Sequence, residues 1–392
     1  MNKKRKINII VFTGQRSDFS ILKPVIQSLN NDESFKMKLV VTGSHLSASY
    51  GMTESEIKEQ KISIYTKIDM LKKGNDETAV LHSMGSFLIS LSNFLRKQST
   101  DLILICGDRY EIFCVAQAAL IFKIPLVHLH GGELTKGLYD DAIRHSVSKM
   151  SQIHFVSNKI YKNRLQAMGE NPSRIYVTGA PGLDNIKNLK YISKKDLSKK
   201  LNFEINKPYF LITYHPVTLA NSQSTKPFES LLSALNQFKD FNQIFTLPNS
   251  DPYSELIKKI IIKHVNKKPD SRYFSQSVGN FIYLNLLKNC ELVIGNSSSG
   301  IIEAPSFKIP TINIGERQEG RLKAKSTIDC DTNKQQIIKS IETAIEKKFK
   351  TICARVVNPY GDGMSSKRIV KILKDLKYPL QIKKEFYNIK VP

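Results

Sequence analysis

Residues 101–129 read DLILICGDRYEIFCVAQAALIFKIPLVHL. An apolar run at 101–106 stops at Gly107. Three charged residues, Asp108, Arg109 and Glu111, then lead into an amphipathic pattern at 111–122, and a second apolar run follows at 125–129. Strands that are apolar throughout are buried on both faces, and a helix between two of them makes a parallel crossover. This segment predicts a strand–helix–strand unit in a parallel sheet covered by helices.

The same alternation extends in both directions. Strands are predicted at 7–12, 37–41, 153–156 and 175–177, and helices at 77–95 and 140–150. A polar, lysine-rich stretch at 187–207 intervenes, and then the pattern restarts. Strands are predicted at 209–213, 243–247, 292–294 and 311–314, and helices at 226–238 and 251–264. At 392 residues the chain is too long for one ordinary core. The fold class expected is α/β, with two Rossmann-like doubly wound domains facing a cleft and ligands at the carboxyl ends of the strands. The boundaries expected are 1–186 for the first domain, 187–364 for the second, and 365–392 for a C-terminal helix and tail that returns to the first.

Composition narrows the function. Lys and Arg outnumber Asp and Glu by 59 to 35. The lysines are scattered and no nucleic-acid module is visible, so the surplus suits a small anionic substrate rather than a polynucleotide. The five cysteines form no CxxC pair and no zinc-ligand spacing, which indicates reduced thiols in a cytoplasmic protein. The N-terminal MNKKRKINIIVFTGQR has an apolar run of about seven residues, too short for a signal core, and reads as a buried first strand. No stretch approaches the ~20 apolar residues of a membrane span, so no membrane partner is expected.

Unusual polar residues cluster just after the predicted strands. Gly14, Gln15, Arg16 and Asp18 follow the first; Gly14 permits a tight turn, and a helix start with Arg16 suits an anion. The alternative is a plain helix start with Asp18 as its N-cap. Asp108 and Arg109 follow another strand, either as a functional pair or as a structural ion pair. Next come His128, His130, Gly131, Gly132 and Glu133. Asp140 with Arg144, and Asp141 with His145, stand at helical i,i+4 spacing. Two such pairs beside a glutamate and two histidines indicate an acid/base site. There is no HExxH and no familiar ligand spacing, so no metal and no cofactor are expected. His215, in YHPVT, follows a strand of the second half. Gly295 to Pro305, GNSSSGIIEAP, runs from a strand through a Ser-rich turn into a helix, a diphosphate site with Ser297, Ser298 and Ser299 at its start and Glu303 one turn in.

With these strings in order, the chain resembles the hydrolysing UDP-N-acetylglucosamine 2-epimerases of bacterial sialic-acid biosynthesis. The match runs almost end to end through TGQRSDFS, TGSHL…YG (with His45), CGDRYEIF, HLHGGE, YDDAIRHSVSKMSQIHF, YHPVT, GNSSSGIIEAPS and INIGERQEGR. The resemblance implies a glycosyltransferase-B-like fold and a homodimer or homotetramer. It also implies conversion of UDP-N-acetylglucosamine and water to N-acetylmannosamine and UDP through a 2-acetamidoglucal. Position by position, Arg16, Asp18, Arg109, His215, Ser297, Ser298, Glu303 and Arg317 resemble the UDP-handling set. Asp108, Glu133, Asp140 and Arg144 resemble the catalytic set. Wider relatives carry Glu where this chain has His130, a substitution that fits the sialic-acid branch. The same chemistry on UDP-2,4-diacetamido-2,4,6-trideoxyglucose, a non-hydrolysing epimerase and a glycosyltransferase are the competing readings.

Overall fold

The computed structural model describes residues 5–48, 51–74, 76–135, 139–216, 225–248, 254–275 and 278–389. They divide into two units. The first comprises Met1–Glu133, Asp140–Asn185 and Tyr360–Pro392; the second comprises Leu134–Tyr139 and Ile186–Pro359.

The first unit carries strands β1 (Ile7–Thr13), β2 (Phe35–Thr42), β3 (Ile64–Ile68), β4 (Leu102–Cys106), β5 (Leu126–Leu129), β6 (Ile153–Val156) and β7 (Ile175–Val177). They form one sheet in the order β3-β2-β1-β4-β5-β6-β7, with every pairing parallel. Along β1, Ile9 and Val11 enter the core on one face while Ile10 and Phe12 enter the core on the other. This two-sided burial is why the strand reads as continuously apolar. The second unit repeats the plan with β8 (Tyr209–Thr213), β9 (Asn242–Thr246), β10 (Arg272–Ser275), β11 (Leu292–Gly295), β12 (Thr311–Ile314) and β13 (Thr327–Cys330) in the order β10-β9-β8-β11-β12-β13. All of these pairings are parallel.

Both orders reverse direction once, between β1 and β4 in the first unit and between β8 and β11 in the second. At such a reversal the two neighbouring crossovers go to opposite faces of the sheet, leaving a crevice beyond the strand ends. The residues that open there are Gly14 to Asp18 and Gly107 to Glu111 in one unit, and His215 and Asn296 to Ser299 in the other.

Helix Glu77–Leu95 alters one expectation. It is 19 residues long with a mean hydropathy of 1.2, enough by length and composition to cross a membrane. Its buried residues Ala79, Ser83, Phe87, Leu91 and Leu95 repeat every four positions, and the last three belong to the core of the first unit. Helix Ser365–Asp375 packs Ile369, Val370 and Leu373 into the other core of that unit. Asp184 fixes its start by accepting from the amides of Ser365 at 2.9 Å and Ser366 at 2.7 Å.

Candidate functional site

At the end of β1, the Asp18 carboxylate accepts from the amides of Gly14 (3.0 Å), Gln15 (2.9 Å) and Phe19 (3.0 Å). Gln15 is the N-cap of helix Arg16–Asn30, and Asp18 is its third residue; the expected N-cap role of Asp18 passes to Gln15 because the two form a reciprocal capping box. Asp18 is therefore turned into the protein. Burial, with Glu111 nearby, pushes its pKa up to about 7 against the pull of the three amides. A Cβ on Gly14 would meet Glu111 Cγ at 2.4 Å, so only glycine lets this turn lie on Glu111. His45 is fully buried, bonded to Thr13 Oγ1 at 3.0 Å and Thr53 Oγ1 at 2.8 Å. Burial lowers its pKa to about 4, so the ring is neutral. Arg16 is half-buried at the head of the helix. Arg109 is buried, with Nε 3.8 Å from Glu111 Oε1.

At the end of β4, Gly107 takes a left-handed φ of +84°. Its carbonyl accepts from His128 Nε2 at 2.8 Å, while His128 Nδ1 lies 3.1 Å from Ser148 Oγ. Burial lowers the His128 pKa to about 3 and keeps it neutral. Asp108 follows and forms an ion pair with Arg144. Arg144 is almost fully buried and also donates to the Glu133 carbonyl (3.0 Å) and to Asp141 Oδ1 (3.0 Å). The expected Asp141–His145 pair is present at 3.5 Å. Asp140 opens the helix Asp140–Met150. The string HLHGGE forms a tight loop: His130 Nδ1 meets Glu133 Oε1 at 2.7 Å, both side chains are buried, and Arg164 donates to the Gly132 carbonyl.

In the second unit, Gly295 ends β11 with φ +138°, and a Cβ there would come within 1.9 Å of the Thr213 carbonyl. Glycine thus lets the ends of β8 and β11 touch. Asn296 follows and clamps the main chain of His215, which is itself buried. The Asn296 carbonyl accepts from Arg317 Nη1 at 3.1 Å and Gln318 Nε2 at 2.9 Å. Ser297 caps a helix of only five residues, Ser298–Ile302, and Glu303 is its C-cap. Glu303 thus stands one turn in, as expected, at the point where the helix ends; a separate 3₁₀ turn, Ala304–Phe307, with Pro305 near its start, follows. Ser299 Oγ donates to Glu303 and receives the Tyr283 hydroxyl at 2.7 Å. Burial raises the pKa of Glu303.

The structure thus gathers Asp108, His130, Glu133 and Arg144 through direct contacts. It joins His215 to Arg317 through Asn296, and Ser299 to Glu303. Asn296 and Tyr283 complete these networks without being candidates from the sequence; Asn296 stands inside the Ser-rich string, whereas Tyr283 is a lone tyrosine in a helix with no sequence signal. His128, a member of the expected histidine pair, is instead bonded to Gly107 and Ser148. Val217 and Thr218 of YHPVT, Tyr50, Lys136 to Leu138 and the first three residues of the helix expected from 251 lie outside the described residues.

Two units, each a parallel sheet whose strand order reverses once, define an α/β protein of the glycosyltransferase-B-like kind. The chain belongs to the UDP-N-acetylglucosamine 2-epimerase family, whose model matches residues 27–374. It is 40% identical to the GDP/UDP-N,N'-diacetylbacillosamine 2-epimerase (hydrolyzing) of Campylobacter jejuni, covering 88% of this chain and 89% of that one. It is 36% identical to polysialic acid biosynthesis protein P7 of Escherichia coli over 97% of both. Its fold matches the Neisseria meningitidis UDP-GlcNAc 2-epimerase solved with UDP-GlcNAc at a TM-score of 0.81, with 23% identity and coverage of 94% and 99%.

Proposed function

We propose that the chain is a hydrolysing 2-epimerase of UDP-2-acetamido sugars, yielding UDP and the free 2-epimeric sugar. The observation that carries this reading is the set of acid/base groups at the strand ends of the first unit, Asp108 on Arg144 and His130 on Glu133. Elimination needs a base at C2, an acid for the return of the proton, and stabilisation of a departing diphosphate. In this reading Asp108, Asp140 and the His130–Glu133 pair form the acid/base set and Arg144 orients Asp108. In the second unit Ser297, Ser298, Ser299 and Arg317 are assigned to the diphosphate, with Glu303 on the ribose; in the first unit Arg16 and Arg109 are assigned to the UDP-sugar. His215, held by Asn296 beside the Ser-rich turn, is assigned to the leaving group. Asp18 and His45 act by shaping the turn after β1.

UDP-N-acetylglucosamine is the substrate read from the sequence, giving N-acetylmannosamine, which sialic-acid synthesis consumes. UDP-2,4-diacetamido-2,4,6-trideoxyglucose is the second reading, favoured by the 40% identity to the Campylobacter relative. The test is to incubate the purified chain with each UDP-sugar and follow free UDP and free sugar by NMR. Release of UDP with a 2-epimeric free sugar from one of them supports the reading and picks the substrate. A UDP-linked epimer, or release only with an added acceptor, overturns it.

A further inference from the structure

We infer that His130 and Glu133 form one proton-transfer unit, in which His130 Nε2 removes the C2 proton and Glu133 is the positioning residue that fixes the imidazole. This rests on the proposed epimerase reading and assigns roles within it.

Three observations converge on the pair. His130 holds φ +66°, a left-handed conformation that a side chain with a Cβ rarely adopts. The surroundings enforce it. The His130 amide donates to the Phe155 carbonyl at 3.1 Å, and a Cβ on Gly132 would meet the Tyr161 carbonyl at 2.6 Å, so the loop is packed without slack on both sides. A glycine would serve the turn better, and the presence of histidine points to its side chain.

Glu133 Oε1 lies 2.7 Å from Nδ1, and both side chains are at least nine-tenths buried. A carboxylate at that distance places the ring proton on Nδ1, which leaves the lone pair on Nε2. Nε2 is shielded from water and has no hydrogen-bond partner among the described residues. A buried polar atom left unpaired in a native fold calls for an explanation, and a substrate group supplies one.

The step balances as follows. Nε2 takes the proton from C2, and the C2–H electron pair becomes the C1=C2 bond. The C1–O bond to the diphosphate breaks, and its electrons leave with UDP. A second group then gives a proton to C2 from the opposite face while water adds its hydroxyl to C1; that group takes up the water's remaining proton, and the imidazolium releases the C2 proton to solvent. The imidazolium formed is stabilised by the Glu133 carboxylate it already touches.

The test uses His130→Gly, because glycine accepts φ +66° and keeps the course of the loop. The expected result is a folded protein whose UDP release falls by about 10²-fold or more and is partly restored by added imidazole. Restoration is expected to disappear when Glu133→Gln is added. Glu133→Gln alone is expected to lower kcat and kcat/KM together, with KM nearly unchanged. His130→Gly with near wild-type turnover, or Glu133→Gln with undiminished kcat, overturns the assignment. The unaltered chain run beside them separates the two ideas: if it releases UDP from neither sugar, the epimerase reading itself fails.

Discussion

Asn296 grips the main chain of His215 at both ends, its Oδ1 accepting from the His215 amide at 2.7 Å and its Nδ2 donating to the His215 carbonyl at 2.8 Å. The two residues are 81 positions apart, on the ends of β8 and β11. One buried side chain therefore sets where the β8 loop begins. Asn296→Ala is expected to leave two buried backbone groups unpaired and to cost about 2–4 kcal/mol in urea unfolding. Asn296→Asp keeps the acceptor and loses the donor, so it is expected to fall between alanine and wild type in both stability and kcat/KM. Equal stability of all three would show that the clamp is idle.

The Tyr283 hydroxyl bonds to Ser299, which in turn bonds to Glu303. If Ser299 and Glu303 face the nucleotide, Tyr283→Phe loosens them without removing either. The expected effect is a rise of about fivefold in the inhibition constant for UDP, the scale of one ordinary hydrogen bond. The far-UV circular dichroism is expected to stay unchanged. An unaltered inhibition constant would confine Tyr283 to packing.

Most of the fold was legible because both sheets are parallel and buried, so their central strands are apolar on both faces. The strands that escaped reading are β3, β10 and β13, each at a sheet edge. β3 is ISIYTKI-like rather than continuously apolar, with Tyr65 and Lys67 exposed, and only its pairing with β2 makes it a strand. The site was legible where charges interrupt an apolar run, as at Asp108 and Glu133. It was not legible where function comes through contacts distant in sequence. Nothing local distinguishes Asp18 as a residue turned inward to three amides from one facing a ligand, since both uses place an acid in the first turn of a helix.

Buried titratable groups give the stability a signed pH dependence. His128 and His45 have folded pKa values near 3 and 4, against 6.5 when free. Between those limits the unfolded chain binds the extra protons, so their contribution is present above pH 6.5 and is lost as pH falls. Asp18 acts in the opposite sense. Its folded pKa is about 7 against 3.8. The folded state holds the extra proton in that window, and stability falls as pH rises through it. Asp18→Asn cannot ionise, so its thermal midpoint relative to wild type is expected to climb from pH 4 to pH 7.5. A flat difference would mean that Asp18 is ionised throughout.

Turnover is expected to persist in EDTA. Among the described residues no three His, Cys, Asp or Glu side chains are grouped to hold a metal. Arginine neutralises a diphosphate with planar, permanently charged donors, and Arg317 stands beside the Ser-rich turn through Asn296. Loss of activity in EDTA, restored by one particular divalent ion, would contradict this.

The course of the reaction separates the proposed chemistry from its rivals. Elimination removes the C2 hydrogen, and a base that exchanges with water replaces it with a solvent proton. Cleavage of the C1–O bond then leaves C1 to take its oxygen from water. In D₂O the released sugar is expected to carry deuterium at C2, and in H₂¹⁸O it is expected to carry the label at C1. A non-hydrolysing epimerase would deuterate C2 but keep the sugar on UDP, with no net release of nucleotide. A glycosyltransferase would leave C2 untouched and release UDP only when an acceptor is supplied. The structural motive is the concentration of paired ionisable side chains beyond β4 and β5, Asp108 on Arg144 and His130 on Glu133. Simple transfer of a glycosyl group to an acceptor has no use for a base directed at C2. Product sugar with protium at C2 and unchanged configuration would remove the reason for those groups and end the epimerase reading.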